Sequence, residues 1–428
     1  MGARGSRWPQ RLSSRGRRDL NRLLEGLRVV EASAFVAAPS AALHLAQFGA
    51  EVIRIDQIGG GPDFRRWPLS PASGASFYWE GLNKAKKSVA LDLGRPEGRE
   101  LAARLAAAPG ENGGLFVTNY PAEGFLSYER LSALRADLVC VRVMGWADGR
   151  TAVDYTVNAA VGVPAMTGPP QDPRPVNHVL PAWDLLTGAY AAFALVSAER
   201  ARRMDGKGRE IRIPLSDMAI ASLGHLGQIG EVQTTGHDRP RFGNELFGAF
   251  GRDFATRDGR RLMVAAITPR QWTGLLAVLD LQAQAAAIEA ELGVRFDRDE
   301  GVRFAHRDRL MPLVEAAIAQ RSAEELAPAF DAQAVCWSPY RTLAEALAVD
   351  PQLSPANPLL AEIDHPSGER YLAPGAAGFS PQEPRLPPTA APRLGEHTTE
   401  VLLAVLGLSD PEIVRLREAG VVGGEDHG

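Results

Sequence analysis

Cysteine is nearly missing from this chain: there are two, Cys140 in the apolar run L-V-C-V-R-V and Cys336 in A-V-C-W-S. Neither has a C-x-x-C partner or a nearby metal-ligand cluster, which argues against a disulfide framework or a metal site and predicts a reducing cytoplasm. Lysine is scarce as well. Of 47 basic residues only four are lysines, and Lys84, Lys86 and Lys87 fall within one turn. No apolar run approaches the roughly 18 residues of a membrane span, and a net charge of -4 argues against a broad basic face for nucleic acid. G-x-S-x-G, the Walker A loop and H-E-x-x-H do not occur, so serine-hydrolase, P-loop and metallopeptidase readings lack their minimal parts. Three glycines, Gly59 to Gly61, follow a predicted strand, but no G-x-G-x-x-G opens a helix there, so a nicotinamide site is not expected.

What is present fits a soluble α/β protein of 428 residues, long enough for two or three domains. The first 22 residues carry seven arginines against Asp19 alone and read as a disordered basic extension. Residues 27–32 (L-R-V-V-E-A), 51–56 (E-V-I-R-I-D), 88–93, 115–118, 137–143 and 209–213 read as strands. Helices are expected over 41–48, 96–108 and 183–203, the last apolar on most faces and therefore well buried. The alternation predicts an open parallel, Rossmann-like sheet whose strand ends form one crevice holding Phe35, Gln57, Asn119, Tyr120, Gly145 and Trp146. Residues 230–244 read as turns, and 250–268 as a hairpin around Asp258-Gly259. The expected organisation is a large domain over 23–220, a smaller α+β domain over 221–335, and a linker with a C-terminal return to the large domain over 336–428.

Two carboxylates stand at the start of apolar segments. Asp154, in V-D-Y-T-V-N-A-A-V-G, is either a helix N-cap or a group held partly desolvated for chemistry; Asp184, in A-W-D-L-L-T-G, reads as a cap. The lysine cluster is either a solvated loop or an anion site, since lysine serves phosphate as a compact point charge. His178 and His237 have the most polar settings of the eight histidines, and His237, beside Asp238 and Arg239, reads either as a solvated loop residue or as a carboxylate-binding one.

Several of these segments together resemble the family III coenzyme A transferases: L-E-G-L-R-V-V-E-A-S with A-A-P, F-G-A-E-V-I-R-I-D, G-L-N-K-A-K-K-S-V-A-L-D-L, V-T-N-Y-P, V-D-Y-T-V-N-A-A-V-G, A-W-D-L-L-T-G-A-Y-A-A and P-R-L-G-E-H-T-T-E-V-L-L-A-V-L-G-L-S. The likeness runs from about Leu24 to Val422. It implies an interlocked homodimer acting on an acyl-CoA, with CoA belonging to the substrate and no tightly bound cofactor. It also implies an aspartate nucleophile, mapped onto Asp154, that forms a mixed anhydride and then an aspartyl-CoA thioester. Phe35, Asn83, Lys86, Lys87, Asn119 and Tyr120 match positions that line the CoA site. F-V-A-A-P, N-H-V-L-P-A-W-D and F-G-A-F-G-R-D-F resemble the branch that moves CoA between the two carboxylates of one mesaconate.

Some positions depart from the pattern. Gln57 stands where relatives often carry Arg, the loop after Tyr120 is short, A-V-D replaces G-Y-D, and no glycine-rich flap is evident. These departures leave open an intermolecular transferase between organic acids and a non-catalytic CoA-ester binder. An α-methylacyl-CoA racemase needs a histidine as opposite base, and residues 119–126 contain none. Arg150, His178 and Arg241 are the candidates for holding the acid's distal carboxylate.

Overall fold

The computed structural model describes residues 22–382 and 385–424, so all but Arg22 of the expected basic extension lies outside the described residues. In chain order the first half runs β1 (Arg28–Ala32), α1 (Ala37–Gln47), β2 (Glu51–Gln57), α2 (Phe77–Leu82), β3 (Lys87–Leu91), α3 (Pro96–Ala106), β4 (Leu115–Thr118), α4 (Tyr128–Leu134), β5 (Val139–Met144), α5 (Asp154–Ala160), α6 (Val163–Met166), α7 (Ala182–Asp205) and β6 (Arg209–Pro214). Helices α8 (Leu215–His225) and α9 (Gln228–Thr235) follow. After them come β7 (Phe250–Ala255), β8 (Arg261–Ala266), five helices between Pro269 and Ala332, β9 (Cys336–Pro339), a short helix over Leu343–Val349, a hairpin of β10 (Leu360–Asp364) and β11 (Arg370–Pro374), and two C-terminal helices.

The chain divides into two compact units. The first takes the chain up to Val157, Pro181–Ala221 and everything from Pro351; the second takes Asn158–Leu180 and Ser222–Asp350. In the first, six parallel strands lie in the order β3-β2-β1-β4-β5-β6. The order reverses between β1 and β4, and a doubly wound sheet opens its ligand crevice at the carboxyl ends of the strands flanking that point. Apart from the edge strand β6, whose first four residues are not buried, the strands are largely apolar and buried because helices cover both faces. The exceptions are Glu31, Arg54, Asp56 and Arg142, charges placed inside buried strands.

Helices α1 and α7 pack closely where Gly188 meets the first turns of α1. A Cβ at Gly188 would collide with Ser40 Oγ and stand 2.7 Å from the Ala37 carbonyl. Gly188→Ala is therefore expected to force these helices apart, lowering stability by about 1–3 kcal/mol in thermal denaturation and displacing the loop ends that both helices carry. The C-terminal hairpin fixes α2 through buried Glu80, which accepts from Ser367 N (2.8 Å) and Tyr371 OH (2.7 Å).

The second unit has its own core, in which Phe250, Phe254, Trp272, Phe296 and Phe330 are among the buried residues. Its sheet is the antiparallel β7-β8-β9. Two expectations change here. Residues 228–235 form a helix closed by Gly236 in the left-handed conformation, where T-T-G had suggested only turns. Residues 158–180 belong to this unit because Arg241 clamps them, donating to the carbonyls of Ala165, Asp172, Pro173 and Arg174.

A candidate active site at the start of the long helix

The free amides at the start of α7 need acceptors. Its N-cap residue is Pro181, which supplies no side-chain cap. The acceptor comes from another segment: Asp154 Oδ2 lies 2.6 Å from Trp183 N and 3.0 Å from Asp184 N. Asp154 is thus a cap, but of α7 rather than of its own helix, and it is 1 % exposed. Asp184 does not cap; its side chain stands half-buried at the opening turn of α7. Burial, followed by the charge of Asp154, pushes its carboxyl up to about 7, while Arg66 pulls the other way. Sequence reasoning made Asp154 the reactive group and Asp184 the cap. In the structure it is Asp154 that caps, and the Asp184 carboxyl is left the more exposed of the two.

The crevice at the switch point of the sheet is built from strand ends. After β1 the chain takes a left-handed turn at Phe35 (φ 68°), a conformation an aromatic residue holds only when its neighbours fix it. Asn119 supplies that restraint with both ends of its amide: Oδ1 accepts from Ala34 N (3.1 Å) and Nδ2 donates to Ala34 O (2.8 Å). Asp63 Oδ2 accepts from Phe35 N. Phe35 therefore leaves the sheet with its ring 41 % exposed. Tyr120 follows Asn119, and its hydroxyl hydrogen-bonds Gln57. Tyr120 and Gln57 line both a 220 Å³ recess with Ser33, Ala34 and Pro62 and a 560 Å³ cleft with Ile58, Asp92, Gly94 and Phe125. Arg142 shapes the short loop that follows, donating to the carbonyls of Tyr120, Pro121 and Leu126. Phe35, Asn119 and Tyr120 thus come together at the switch point.

The lysine cluster does not join them. Lys86 is fully buried, with Nζ 2.7 Å from Glu31 Oε2, 2.9 Å from Pro39 O and 2.9 Å from Asn83 Oδ1. Of the three donors of an ammonium, two go to Pro39 O and Asn83 Oδ1, and the Glu31 carboxylate is the ion-pair partner. Burial nonetheless lowers the ammonium to about 8. Asn83, also buried, accepts from Arg54 as well. Lys87 pairs with Glu51 (2.9 Å) and Glu400 (2.7 Å), and Lys84 donates to Gly81 O (2.6 Å). Lys86 and Asn83 thus belong to an internal network in which Arg54 also pairs with Glu31, Asp56 and Asp63.

Two of the candidates for a distal carboxylate already have partners. Arg241 is occupied as the loop clamp. Arg150 pairs with Asp148 (2.7 Å) and covers the Trp146 ring. His178 lies in the second unit. Missing from the sequence reading are Arg66 and Tyr78: the Arg66 guanidinium stands 5.3 Å from the Phe35 ring and 5.2 Å from the Tyr78 ring. Nothing in the local sequence separates Arg66 from the many other arginines; only the fold does.

Comparison with known proteins finds relatives over nearly the whole chain. The profile of a family described as CoA-transferase family III matches residues 24–398. The chain is 50% identical over 404 residues, 94% of its length and 98% of the relative's, to the 2-methylfumaryl-CoA isomerase of Chloroflexus aurantiacus. It is 29% identical over 415 residues, 94% of this chain and 98% of the relative, to the succinyl-CoA–D-citramalate CoA-transferase of the same organism. A solved CAIB/BAIF family protein from Brucella suis superposes with a TM-score of 0.71 at 25% identity, covering 89% of this chain and 98% of that one.

Proposed function

The chain belongs to CoA-transferase family III, and on that premise we propose that it moves coenzyme A between the two carboxylates of one mesaconate, converting 2-methylfumaryl-CoA to 3-methylfumaryl-CoA. The observation that carries the reading is the end-to-end 50% identity to an isomerase of that name. Asp184 is the attacking carboxylate in this reading, in place of Asp154. Its oxygen adds to the thioester carbonyl, the C–S bond breaks, and CoA thiolate leaves behind a mixed anhydride. The thiolate then adds to the aspartyl carbonyl, the anhydride C–O bond breaks, and the acid departs as a carboxylate from an aspartyl-CoA thioester. Attack by the acid's other carboxylate runs the same steps in reverse and frees Asp184. No proton is consumed. Keeping the acid bound makes the return step local, an effective-molarity advantage.

Asp154 supports this chemistry by accepting from the Trp183 and Asp184 amides, which fixes the turn of α7 that carries Asp184. CoA lies along the strand-end crevice, with Phe35, Asn119 and Tyr120 at its edge and CoA entering only as part of the substrate. Two further readings accompany this one. Both cysteines are free thiols, in keeping with a reducing cytoplasm. The α7 face carrying Leu185, Leu186, Tyr190 and Phe193, expected to be buried, is exposed, with Phe193 at 65 %; an interlocked homodimer would cover it.

Purified protein given mesaconyl-C1-CoA alone is expected to yield the C4 thioester, followed by chromatography of the CoA esters. An absolute need for added free acid would favour the intermolecular transferase.

A further inference from the structure

We propose that Arg66 and the Tyr78 hydroxyl form the seat for the carboxylate that is not reacting, so that the protein selects dicarboxylic acids and retains the freed one between the two transfers. The inference rests on the intramolecular reading above and gives it a structural cause.

Every free intermediate in that cycle is a dianion, and its second carboxylate needs a cation within one small molecule's length of the nucleophile. Among the described residues Arg66 makes no ion pair, and its guanidinium is exposed. Its charge nevertheless reaches Asp184, holding that carboxyl down against burial and Asp154. Its backbone is held in place: Arg66 O accepts from Ser76 Oγ, the residue capping α2, and Arg66 N donates to Asp63 O. Asp63 is the carboxylate that also holds Phe35 N.

Tyr78 supplies the second and independent observation. Its hydroxyl is buried and has no hydrogen-bond partner, which is costly unless a ligand satisfies it. The side chain lies under Arg66 and feels the charges of Asp184 and Asp63. A guanidinium fork and a phenol hydroxyl together can hold one carboxylate by charge-assisted hydrogen bonds, with Phe35 as an apolar floor for the carbon chain. After the first transfer the two carboxylates exchange seats, and the same pair holds whichever end is idle.

The test uses Arg66→Gln and Tyr78→Phe with free ¹³C-labelled mesaconate added to unlabelled mesaconyl-C1-CoA. Arg66→Gln is expected to lose about 10–100-fold in kcat/KM for isomerisation, the size of one lost charged hydrogen-bonding group. Label, excluded by the wild type, should enter the product. Its pH profile should also rise at higher pH, because Asp184 loses a neighbouring cation. Tyr78→Phe should show a smaller loss in the same direction. Arg66→Gln that isomerises at the wild-type rate without taking up label overturns the proposal. If the wild type turns over only with added acid, the intramolecular reading fails by itself, and Arg66 is judged on acceptor choice. A preference for mesaconate over crotonate that disappears in Arg66→Gln supports the seat, and one that persists overturns it.

Discussion

Asp184→Asn is expected to abolish turnover, by about 10³-fold or more as for loss of a nucleophile, in a protein that remains folded and binds CoA. Asp154→Ala is expected to behave in the opposite sense. It strands two amides of α7 and should lower stability by about 1–3 kcal/mol while the surviving folded fraction keeps measurable activity. Hydroxylamine trapping with mass spectrometry locates the acylated residue. Because Arg174 precedes Pro175, trypsin leaves both aspartates on one peptide, so fragment ions must assign the site. Modification at Asp154, with turnover surviving Asp184→Asn, would restore Asp154 as the nucleophile.

The pH dependence follows from the same carboxyl. In the native protein Asp184 holds its proton up to about 7, whereas in the unfolded chain it releases it near 4. A raised acid binds more protons folded than unfolded across that window, so it draws stability down as pH rises from about 4 to about 7. A shift of this size corresponds to on the order of 4 kcal/mol before solvent screening reduces it. Asp184→Asn should therefore gain melting temperature over the wild type progressively across that window and hold the gain above it. Wild-type kcat/KM should rise through the same window, because only the anion attacks.

The strand positions were legible because parallel strands buried on both faces write themselves as short apolar runs: residues 115–118 were read at their true bounds, and 51–56 lacks only Gln57. Helix α9 was hidden because T-T-G-H-D-R-P reads as turn chemistry, while the preceding turn of helix carries little apolar periodicity. The site was legible in its parts but not in its contacts. Two aspartates at apolar helix starts pointed to the right turn of chain, yet which one caps depends on residues 29 and 30 positions apart meeting in space. A local reading assigns a cap to the nearest helix, and here the cap belongs to the next helix in unit one. Arg66 was illegible for the same reason, since its meaning comes from Phe35 and Tyr78, brought together by separate turns.

The lysines show that a correct pattern can carry a different cause. Their clustering is real, but Glu31, Arg54 and Asp56 lie inside the neighbouring strands, a signal of buried charge that was present in R-V-V-E-A and E-V-I-R-I-D. Lys86→Met separates the two explanations. If Lys86 held phosphate, the variant would keep its melting temperature and raise the KM for the CoA ester. As part of the buried network it should instead cost about 3–5 kcal/mol, because Glu31 loses one of its two cationic partners in a dry interior. Asn83 Oδ1 and Pro39 O lose a donor at the same time. The effect should extend to the site through Arg54, which ties Glu31 to Asp63 and thus to the turn at Phe35. Lowered stability with KM unchanged at temperatures where the variant is folded is the expected result. Raised KM at unchanged stability would return Lys86 to the CoA site.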